Sequence, residues 1–362
     1  MDIGGIPVVI SKGTPYEIGL NHGKSCPDRV RKSFEYNLKS CVDQSGFSQE
    51  EVYKFASGFI KPVERAYPDY ICEVQGIADG AGLKLEDLMV LNSRTELQKL
   101  CWNRKSEDCT SVAVTGERTV DGATYVGQNW DNAPWSRECL IIHVIEQNNG
   151  KPSIAYCGEA GIIARSGMNS CGIGDGVNSL STNAPVNLEG IPLQFLLRAV
   201  LDSRDLGEAI DALNGKNAAV NNILIAQKDG LAIDVEMDSG CCGIVYGEDG
   251  ILIHTNHYVS AGHPRWPYMD VFKGNSIARY DRSNKVLRNI DGKISIEDIQ
   301  QLFADHGNDP QSICRHPDLS KPGEKQIETV FSFVCNLSTL EMRLAPHYPC
   351  EGFLTVKPFD LL

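Results

Sequence analysis

A chain of 362 residues is long enough to bury one large hydrophobic core or two modest ones. Its 42 % hydrophobic and 22 % charged residues are ordinary for a globular protein. The formal net charge of −13 argues against nucleic acid and anionic membranes as partners, because both bind to basic protein surfaces.

The N-terminus lacks the basic region and long apolar run of a secretion signal. No apolar stretch approaches the ~20 residues that a membrane-spanning helix needs. We therefore expect a soluble, cytoplasmic protein whose thirteen cysteines are reduced thiols rather than a disulfide framework. No CxxC motif occurs, and His254 and His257 form only a pair, so the sequence predicts no metal site.

The first hundred residues are predicted to be helical. Two capping boxes, at 14–17 and 48–51, each open a helix, and the first is strengthened by proline in the first turn. Further helices are predicted over 67–78 and 85–97, although Gly76 is unfavourable within the former.

The pattern after Cys109 changes to short alternating runs that are typical of strands. Strands are predicted near 110–115, 123–128, 139–146, 153–156, 171–177, 222–227, 231–236, 242–246 and 251–256. Helices are predicted near 191–202, 205–214, 275–289 and 295–304, and a final hairpin spans 329–337 and 341–344. Hairpin turns outnumber βαβ crossovers, which favours an α+β sandwich of sheets covered by helices over a doubly wound sheet.

The segment 106–132 organises the rest of the chain. Cys109 begins its first strand, and its second strand, from about Thr124, follows an Asp-Gly turn and ends at Asp131. Two paired strands would bring Cys109 close to Asp131. This geometry suits a nucleophile with electrostatic support, and it also suits an ordinary hairpin.

A cysteine at the start of a strand is usually a buried apolar residue. Here Thr110 and Ser111 make its surroundings polar, and Glu107 and Asp108 precede it on an exposed-looking turn. A cut between Asp108 and Cys109 would give Cys109 its own α-amino group, whose pKa near ~7.7–8 suits a general base. Thiol and amine in one residue then form a nucleophile and its base. The thiol could make the cut itself by attacking the preceding carbonyl.

Four motifs carry a resemblance to a known family. DCTSVAV (108–114), QNWDN (128–132), HTNH (254–257) and SICRH (312–316), in that order, resemble the acyl-CoA:6-aminopenicillanic acid acyltransferase (isopenicillin N acyltransferase) family of cysteine N-terminal-nucleophile (Ntn) enzymes. Further similarity runs from the first capping box to the closing Pro-Cys at 349–350. Each motif is short, but several in order over ~300 residues are specific.

The resemblance implies a four-layer αββα sandwich that is made as an inactive precursor. Cleavage before Cys109 would give an α subunit, the helical segment 1–108, and a catalytic β subunit, 109–362, which stay together as one compact domain. Members of the family often have glycine before the nucleophile. Asp108 departs from that pattern, and its carboxylate could assist the cleavage or slow it.

The resemblance also implies roles for four residues. Cys109 would be the nucleophile, Asp131 would position and polarise the catalytic centre, Asn256 would donate to the oxyanion, and Arg315 would organise charge beside the thiol. If buried, Asp131 and Arg315 should form a fork-shaped ion pair, which could equally be structural. Substrate binding is expected at Ser111 and at Asn178, the latter following a glycine-rich turn.

Three alternatives remain open from the sequence. An acyl group carried on Cys109 could pass to an amine, as in an acyltransferase, or to water, as in an amidohydrolase or peptidase. His254 or His257 could instead serve a papain-type site, although the segment after Cys109 is predicted as strand rather than helix. A catalytically silent, ligand-binding member of the fold is the third. The expected partners are a small-molecule acyl donor, such as an acyl-CoA, and an amine or water acceptor, with no cofactor.

Overall fold

The computed structural model describes residues 1–101, 108–238, 241–261, 273–323 and 326–362. The exposed turn predicted at Glu107 and Asp108 is wrong for Asp108, which begins a strand and is buried, and Glu107 lies outside the described residues. The strands are β1 (Asp2–Ile3), β2 (Ile6–Gly13), β3 (Asp108–Val114), β4 (Tyr125–Asn132), β5 (Leu140–Gln147), β6 (Ile154–Glu159), β7 (Gly167–Asn169), β8 (Ile173–Asn178), β9 (Asn221–Gln227), β10 (Leu231–Met237), β11 (Cys242–Tyr246), β12 (Ile251–His254), β13 (Glu328–Asn336), β14 (Glu341–Ala345) and β15 (Leu354–Val356). The helices are α1 (Pro15–Ser25), α2 (Pro27–Ser45), α3 (Gln49–Gly58), α4 (Ile60–Ala66), α5 (Pro68–Ala81), α6 (Leu85–Asn92), α7 (Arg94–Cys101), α8 (Leu193–Leu201), α9 (Leu206–Leu213), α10 (Gly274–Arg288) and α11 (Ile296–Phe303).

Two sheets form the centre of the described structure. The larger has the strand order β1-β2-β5-β6-β7-β8-β9-β10-β11, and the smaller has the order β12-β3-β4-β13-β14-β15. Strand β2 pairs with β5 in parallel, whereas β3 and β4 pair antiparallel. The N-terminal segment therefore supplies a strand inside the larger sheet, which the prediction of a wholly helical first hundred residues missed.

Both sheets are buried on their two faces, because alternate side chains enter different cores. On β5, Ile141 packs under the layer of helices α1 to α9, and Ile142 enters the core between the sheets. On β3, Ala113 enters the same inter-sheet core, and Val112 packs beneath α10 and α11. The order of layers is helix, sheet, sheet, helix, so the predicted αββα sandwich is confirmed.

The predicted elements match the structure closely where local signals are strong. Both capping boxes form, with the side chains of Thr14 and Ser48 accepting from the third helical residue. The prediction of a single helix over 85–97 is wrong, because the helix is interrupted at Ser93, between α6 and α7. The Ser93 hydroxyl donates to the Met89 carbonyl oxygen over 2.6 Å at this break, a local bond that competes with helix propagation. Helix α2 was not predicted, and β2 acquires its pairing from a strand more than a hundred residues away.

Helices α1 and α5 cross in direct backbone contact through four glycines. Gly19 and Gly23 on α1 face Gly76 and Gly80 on α5. A Cβ at Gly80 would lie 2.6 Å from the Leu20 carbonyl oxygen, and a Cβ at Gly76 would overlap that of Tyr16. The glycines that are unfavourable for an isolated helix are therefore required for this packing.

Replacing Gly76 with alanine is expected to lower the free energy of unfolding by about 3 kcal/mol, because the added methyl group forces the two helices apart. Gly58→Ala is the matched control, since a Cβ at this exposed helical glycine meets no atom within 4 Å. The control should be neutral or slightly stabilising. Urea unfolding measures both, and equal effects would contradict the packing argument.

Among the helices of the described residues, none has both the length and the hydrophobicity that crossing a bilayer requires.

Candidate active site at the start of strand β3

Cys109 lies beside the end of β4, as the sequence predicts. In the antiparallel register Cys109 is opposite Trp130, and Asp108 is opposite Asp131. Because side chains alternate along a strand, the Cys109 and Trp130 side chains enter the inter-sheet core. Asp108 contacts α10, and its neighbour Asp131 lies on the same face of the sheet. Asp131 is thus one residue pair away from Cys109 along the two strands, but its side chain lies on the opposite face of the sheet from the Cys109 thiol.

The backbone of Cys109 is held at both of its polar groups. Its N–H donates to Asn256 Oδ1 over 2.8 Å. Its carbonyl oxygen accepts from Arg279 Nη1, and Nη2 of the same guanidinium donates to Asn256 Oδ1 over 2.8 Å. Asn256 and Arg279 are fully or almost fully buried. Together they fix the position of the residue whose amide nitrogen would become the α-amine after cleavage.

Two donors converge on Asn256 Oδ1, and this settles the orientation of its side-chain amide. Asn256 Nδ2 points the other way and donates to the Ser179 carbonyl oxygen over 3.1 Å. The backbone N–H of Asn256 donates to Ser276 Oγ, which anchors the residue to α10. Asn256 therefore meets Cys109 through its oxygen, and its proposed donation to an oxyanion stays a prediction.

Asp108 occupies a buried site rich in positive charge. Its Oδ1 lies 2.8 Å from Lys273 Nζ and 3.5 Å from Arg279 Nη2. Its Oδ2 accepts from Arg315 Nη1 over 2.5 Å and from Asn275 Nδ2 over 2.9 Å. Burial opposes ionisation, but the three cations lower the pKa of Asp108 far below its ordinary value. The carboxylate that precedes Cys109 is therefore ionised and firmly bound.

The predicted ion pair between Arg315 and Asp131 is wrong. Within the described residues Arg315 forms its ion pair with Asp108, and its Nη2 donates to Gln311 Oε1 over 3.0 Å. Asp131 Oδ1 instead accepts from the Thr329 hydroxyl over 2.7 Å. Thr329 Oγ1 also accepts from the Arg315 backbone N–H over 2.9 Å, so the two residues are linked through Thr329.

Asp131 is almost completely buried, which raises its pKa from 3.8 to about 6, although Arg279 and Arg315 oppose the shift. The folded carboxyl group therefore retains its proton more strongly than the unfolded one. The folded state binds more protons between pH ~4 and ~6, so this group makes the free energy of unfolding fall as the pH rises through that window.

Replacing Asp131 with asparagine should remove this pH dependence and keep the bond from Thr329. We expect the wild-type free energy of unfolding, measured relative to that of Asp131→Asn, to fall by about 2 kcal/mol between pH ~4 and ~6. Urea unfolding at a series of pH values measures the difference. A constant difference across the window would mean that Asp131 does not titrate there.

A small recess of about 10 Å³, roughly the room that one water molecule needs, opens beside Cys109. Its walls are formed by Thr95, Gln98, Cys109, Arg165, Val177, Ser179, Leu193 and Asn221. Arg165 lies over the ring of Trp130, with 4.5 Å from its guanidinium carbon to the ring centroid. The recess thus gives Cys109 a partly polar, positively charged approach.

Ser111 and Asn178 lie near the recess but do not line it within the described structure. Both are buried, and Asn178 lies between two wall residues, Val177 and Ser179. A Cβ at Gly176 would lie 2.8 Å from Ser111 Oγ, so this face of β8 is turned towards Ser111. Side chains alternate along a strand, and Asn178, two residues after Gly176, therefore faces the same space between the sheets. Among the described residues, the amide group of Asn178 and the hydroxyl group of Ser111 have no hydrogen-bond partner. Their binding roles stay predictions.

The histidines of the papain-type alternative have other partners. His254 Nε2 lies 2.8 Å from Glu236 Oε1 in the buried interior. Burial opposes protonation, but Asp234 and Glu236 raise the pKa of His254 to about 9. His257 Nδ1 lies 2.8 Å from Ser276 Oγ. A charged, paired His254 is a structural residue rather than a base, and Cys109 begins a strand rather than a helix.

Sequence reasoning did not find Lys273, Asn275 and Arg279. Lys273 lies just before α10, and the other two lie on it at i, i+4 spacing, which places them on one face of the helix. Charged residues on a helix normally face solvent, so the composition of α10 does not distinguish these side chains from surface residues. Only the register of β3 shows that they meet Asp108 and Cys109.

Residues 118–347 match the sequence profile of the family described as "Acyl-coenzyme A:6-aminopenicillanic acid acyl-transferase". The chain belongs to this family. It is 29 % identical over 350 residues to the "Acyl-coenzyme A:6-aminopenicillanic-acid-acyltransferase 40 kDa form" of Emericella nidulans, covering 96 % of this chain and 95 % of that protein. The family predicted from the four motifs is confirmed, and with it an enzyme class that transfers or hydrolyses acyl groups.

Two solved structures share the fold of this chain. Two variants of the conjugated bile acid hydrolase from Clostridium perfringens superpose with TM-scores of 0.50 and 0.52, each at 16 % identity. The matches cover 68 % and 70 % of this chain and 92 % and 93 % of the hydrolase chains. At this identity the likeness establishes a shared Ntn-type fold for the acyltransferase-family chain.

Proposed function

We propose that this chain is a self-processing Ntn enzyme in which Cys109 carries an acyl group as a thioester. One hydrogen bond supports the proposal most directly. The backbone N–H of Cys109 donates to Asn256 Oδ1, and Cys109 lines the recess. A nitrogen held in this way is pre-positioned to act as a base once it becomes an amine.

Processing would begin with attack of the Cys109 thiol sulfur on the carbonyl carbon of Asp108. The peptide C–N bond breaks as the new C–S bond forms, and the nitrogen of Cys109 takes the proton that the thiol loses and becomes an amine. Water then hydrolyses the thioester, which leaves a carboxyl group on Asp108 and restores the thiol. The bonds from Lys273, Arg315 and Asn275 to the Asp108 side chain hold the departing residue still during this step.

Catalysis would then use the new amine as the base. Three cations, Lys273, Arg279 and Arg315, surround this position and disfavour a further positive charge, so they should keep the amine neutral. Asn256 Oδ1 would accept one amine hydrogen, which leaves the lone pair to take the thiol proton. The thiolate attacks the acyl carbonyl, and the proton passes to the leaving group.

The relative's name points to the substrate class. It includes acyl-coenzyme A and 6-aminopenicillanic acid, an acyl donor and an amine acceptor. For this chain we propose a small acyl thioester or amide as donor and an amine as acceptor, with water as the competing acceptor. Arg165 at the wall of the recess provides positive charge for an anionic substrate group.

Denaturing mass spectrometry of the purified protein tests the proposal. Processing between Asp108 and Cys109 should give two chains of roughly 12 and 28 kDa, with the heavier beginning at Cys109. Brief incubation with an acyl-CoA, followed by acid quenching, should add one acyl mass to the peptide that contains Cys109. An active preparation that holds an unbroken chain would contradict the proposal.

A further inference from the structure

A second cluster of reactive side chains lies behind the candidate active site. His306, Cys314, His316 and Cys350 place one ligand atom each within 4.8 Å of one another. They come from two connections: the one between α11 and β13 carries His306, Cys314 and His316, and the one between β14 and β15 carries Cys350. No other group of three or more such residues converges in this way in the described parts of the chain.

The separations within this cluster fit a tetrahedral ion. The Nε2 atoms of His306 and His316 are 3.1 Å apart. His316 Nε2 lies 3.8 Å from Cys314 Sγ and 3.5 Å from Cys350 Sγ. With Zn–N near ~2.0–2.1 Å and Zn–S near ~2.3 Å, a tetrahedron has edges of about 3.3 Å between nitrogens and about 3.6 Å between nitrogen and sulfur.

The chemistry of the donors also favours zinc. Two thiolates and two imidazoles are a common ligand set of structural zinc sites, whereas calcium and magnesium prefer oxygen. Tyr348 packs against the His316 ring at 4.1 Å between centroids, which restricts its orientation.

The sequence conceals this set because the ligands are spaced irregularly. Only Cys314 and His316 are near neighbours, and Cys350 follows them after two strands. The prediction of no metal site considered short motifs and the pair His254 and His257, which bind other partners. The fold, rather than the spacing, brings the four ligands together.

The geometry points to a structural zinc site formed by His306, Cys314, His316 and Cys350. The ion fastens two parts of the α11–β13 connection to each other and to the turn that follows β14. Arg315 lies between two of the ligands and extends to Asp108 beside Cys109. The zinc site therefore fixes the backbone from which Arg315 reaches the candidate active site. It is independent of whether the bond before Cys109 is cut.

Metal analysis of the full chain, produced without a histidine tag, tests this site. We expect about one zinc ion per chain, retained through dialysis against a weak chelator. Replacement by Co²⁺ should give the intense visible bands of a tetrahedral ion with thiolate ligands. The variants Cys314→Ser, Cys350→Ser and His306→Gln should each lose the zinc or bind it at least about tenfold more weakly.

His347→Gln and Cys242→Ser are matched controls, because both residues are exposed and lie outside the cluster. They should retain zinc as the wild type does. Peptide mapping without reduction provides a second measurement, since a disulfide between Cys314 and Cys350 would exclude the site. That disulfide, or zinc content that is the same in the cluster variants and the controls, would overturn the proposal. Because zinc is measured directly, failure here would leave the two-chain result intact.

Discussion

Replacing Cys109 with alanine is expected to leave the chain in one piece and to lower acyl transfer or hydrolysis by at least about 10⁴-fold. The substitution removes the sulfur that would attack the Asp108 carbonyl, and it thereby also prevents release of the amine that would serve as base. Denaturing mass spectrometry measures the cut, and release of coenzyme A from an acyl-CoA measures the chemistry.

Cys157→Ala is the matched control for this loss. Cys157 is buried in the same inter-sheet core as Cys109, so its replacement tests the effect of losing a buried sulfur alone. The control should be processed and should retain activity. If Cys109→Ala were still cleaved between residues 108 and 109, self-processing by the thiol would be refuted.

The second large effect concerns the carboxylate of Asp108. In a Cys109→Ala background, where the chain stays whole, Asp108→Asn should lower the free energy of unfolding by about 3–5 kcal/mol. The substitution leaves the buried guanidinium groups of Arg279 and Arg315, together with Lys273, around a neutral side chain. Urea unfolding at neutral pH measures this difference.

Arg315→Leu in the same background supplies the other half of a double-mutant cycle. Removing both partners should cost less than the sum of the single substitutions, because the second removal also eliminates an unpaired charge. Asp281→Asn is the control, since this carboxylate is on α10 in an exposed pair with Lys285. Additive effects, or a loss in Asp108→Asn no larger than that in the control, would contradict a buried ionic cluster.

Local signals in the sequence were sufficient for most of the fold. Capping boxes, Asp-Gly turns and alternating strands identified most of the elements from 109 onward and the adjacency of Cys109 and Asp131. What they could not provide was long-range pairing. Residues 6–13 form strand β2 because they pair with β5. The glycines within α5 are tolerated because they pack against glycines of α1. These are properties of the assembled structure rather than of a window of residues.

The candidate site was predicted less completely, for a related reason. The family resemblance placed Asp131 and Arg315 in one site. It did not show whether the Arg315 guanidinium would bind the carboxylate of Asp131 or that of Asp108. Asp108 and Asp131 lie opposite each other in the β3–β4 register, and Arg315 reaches Asp108. Arg279 resembles an ordinary surface residue of a helix until α10 is placed over β3. Charge complementarity predicts that ions will pair, whereas geometry decides the partners.

Strand β2 has a consequence for any cleavage before Cys109. It lies between β1 and β5 in the larger sheet. The fragment 1–108 would therefore remain hydrogen-bonded to a sheet whose other strands come mostly from the fragment 109–362. Cleavage would break one peptide bond and leave the hydrodynamic size of the protein almost unchanged, so gel filtration alone would not detect it. The same interlocking suggests that the two pieces, expressed from separate messages, could reassemble by strand complementation.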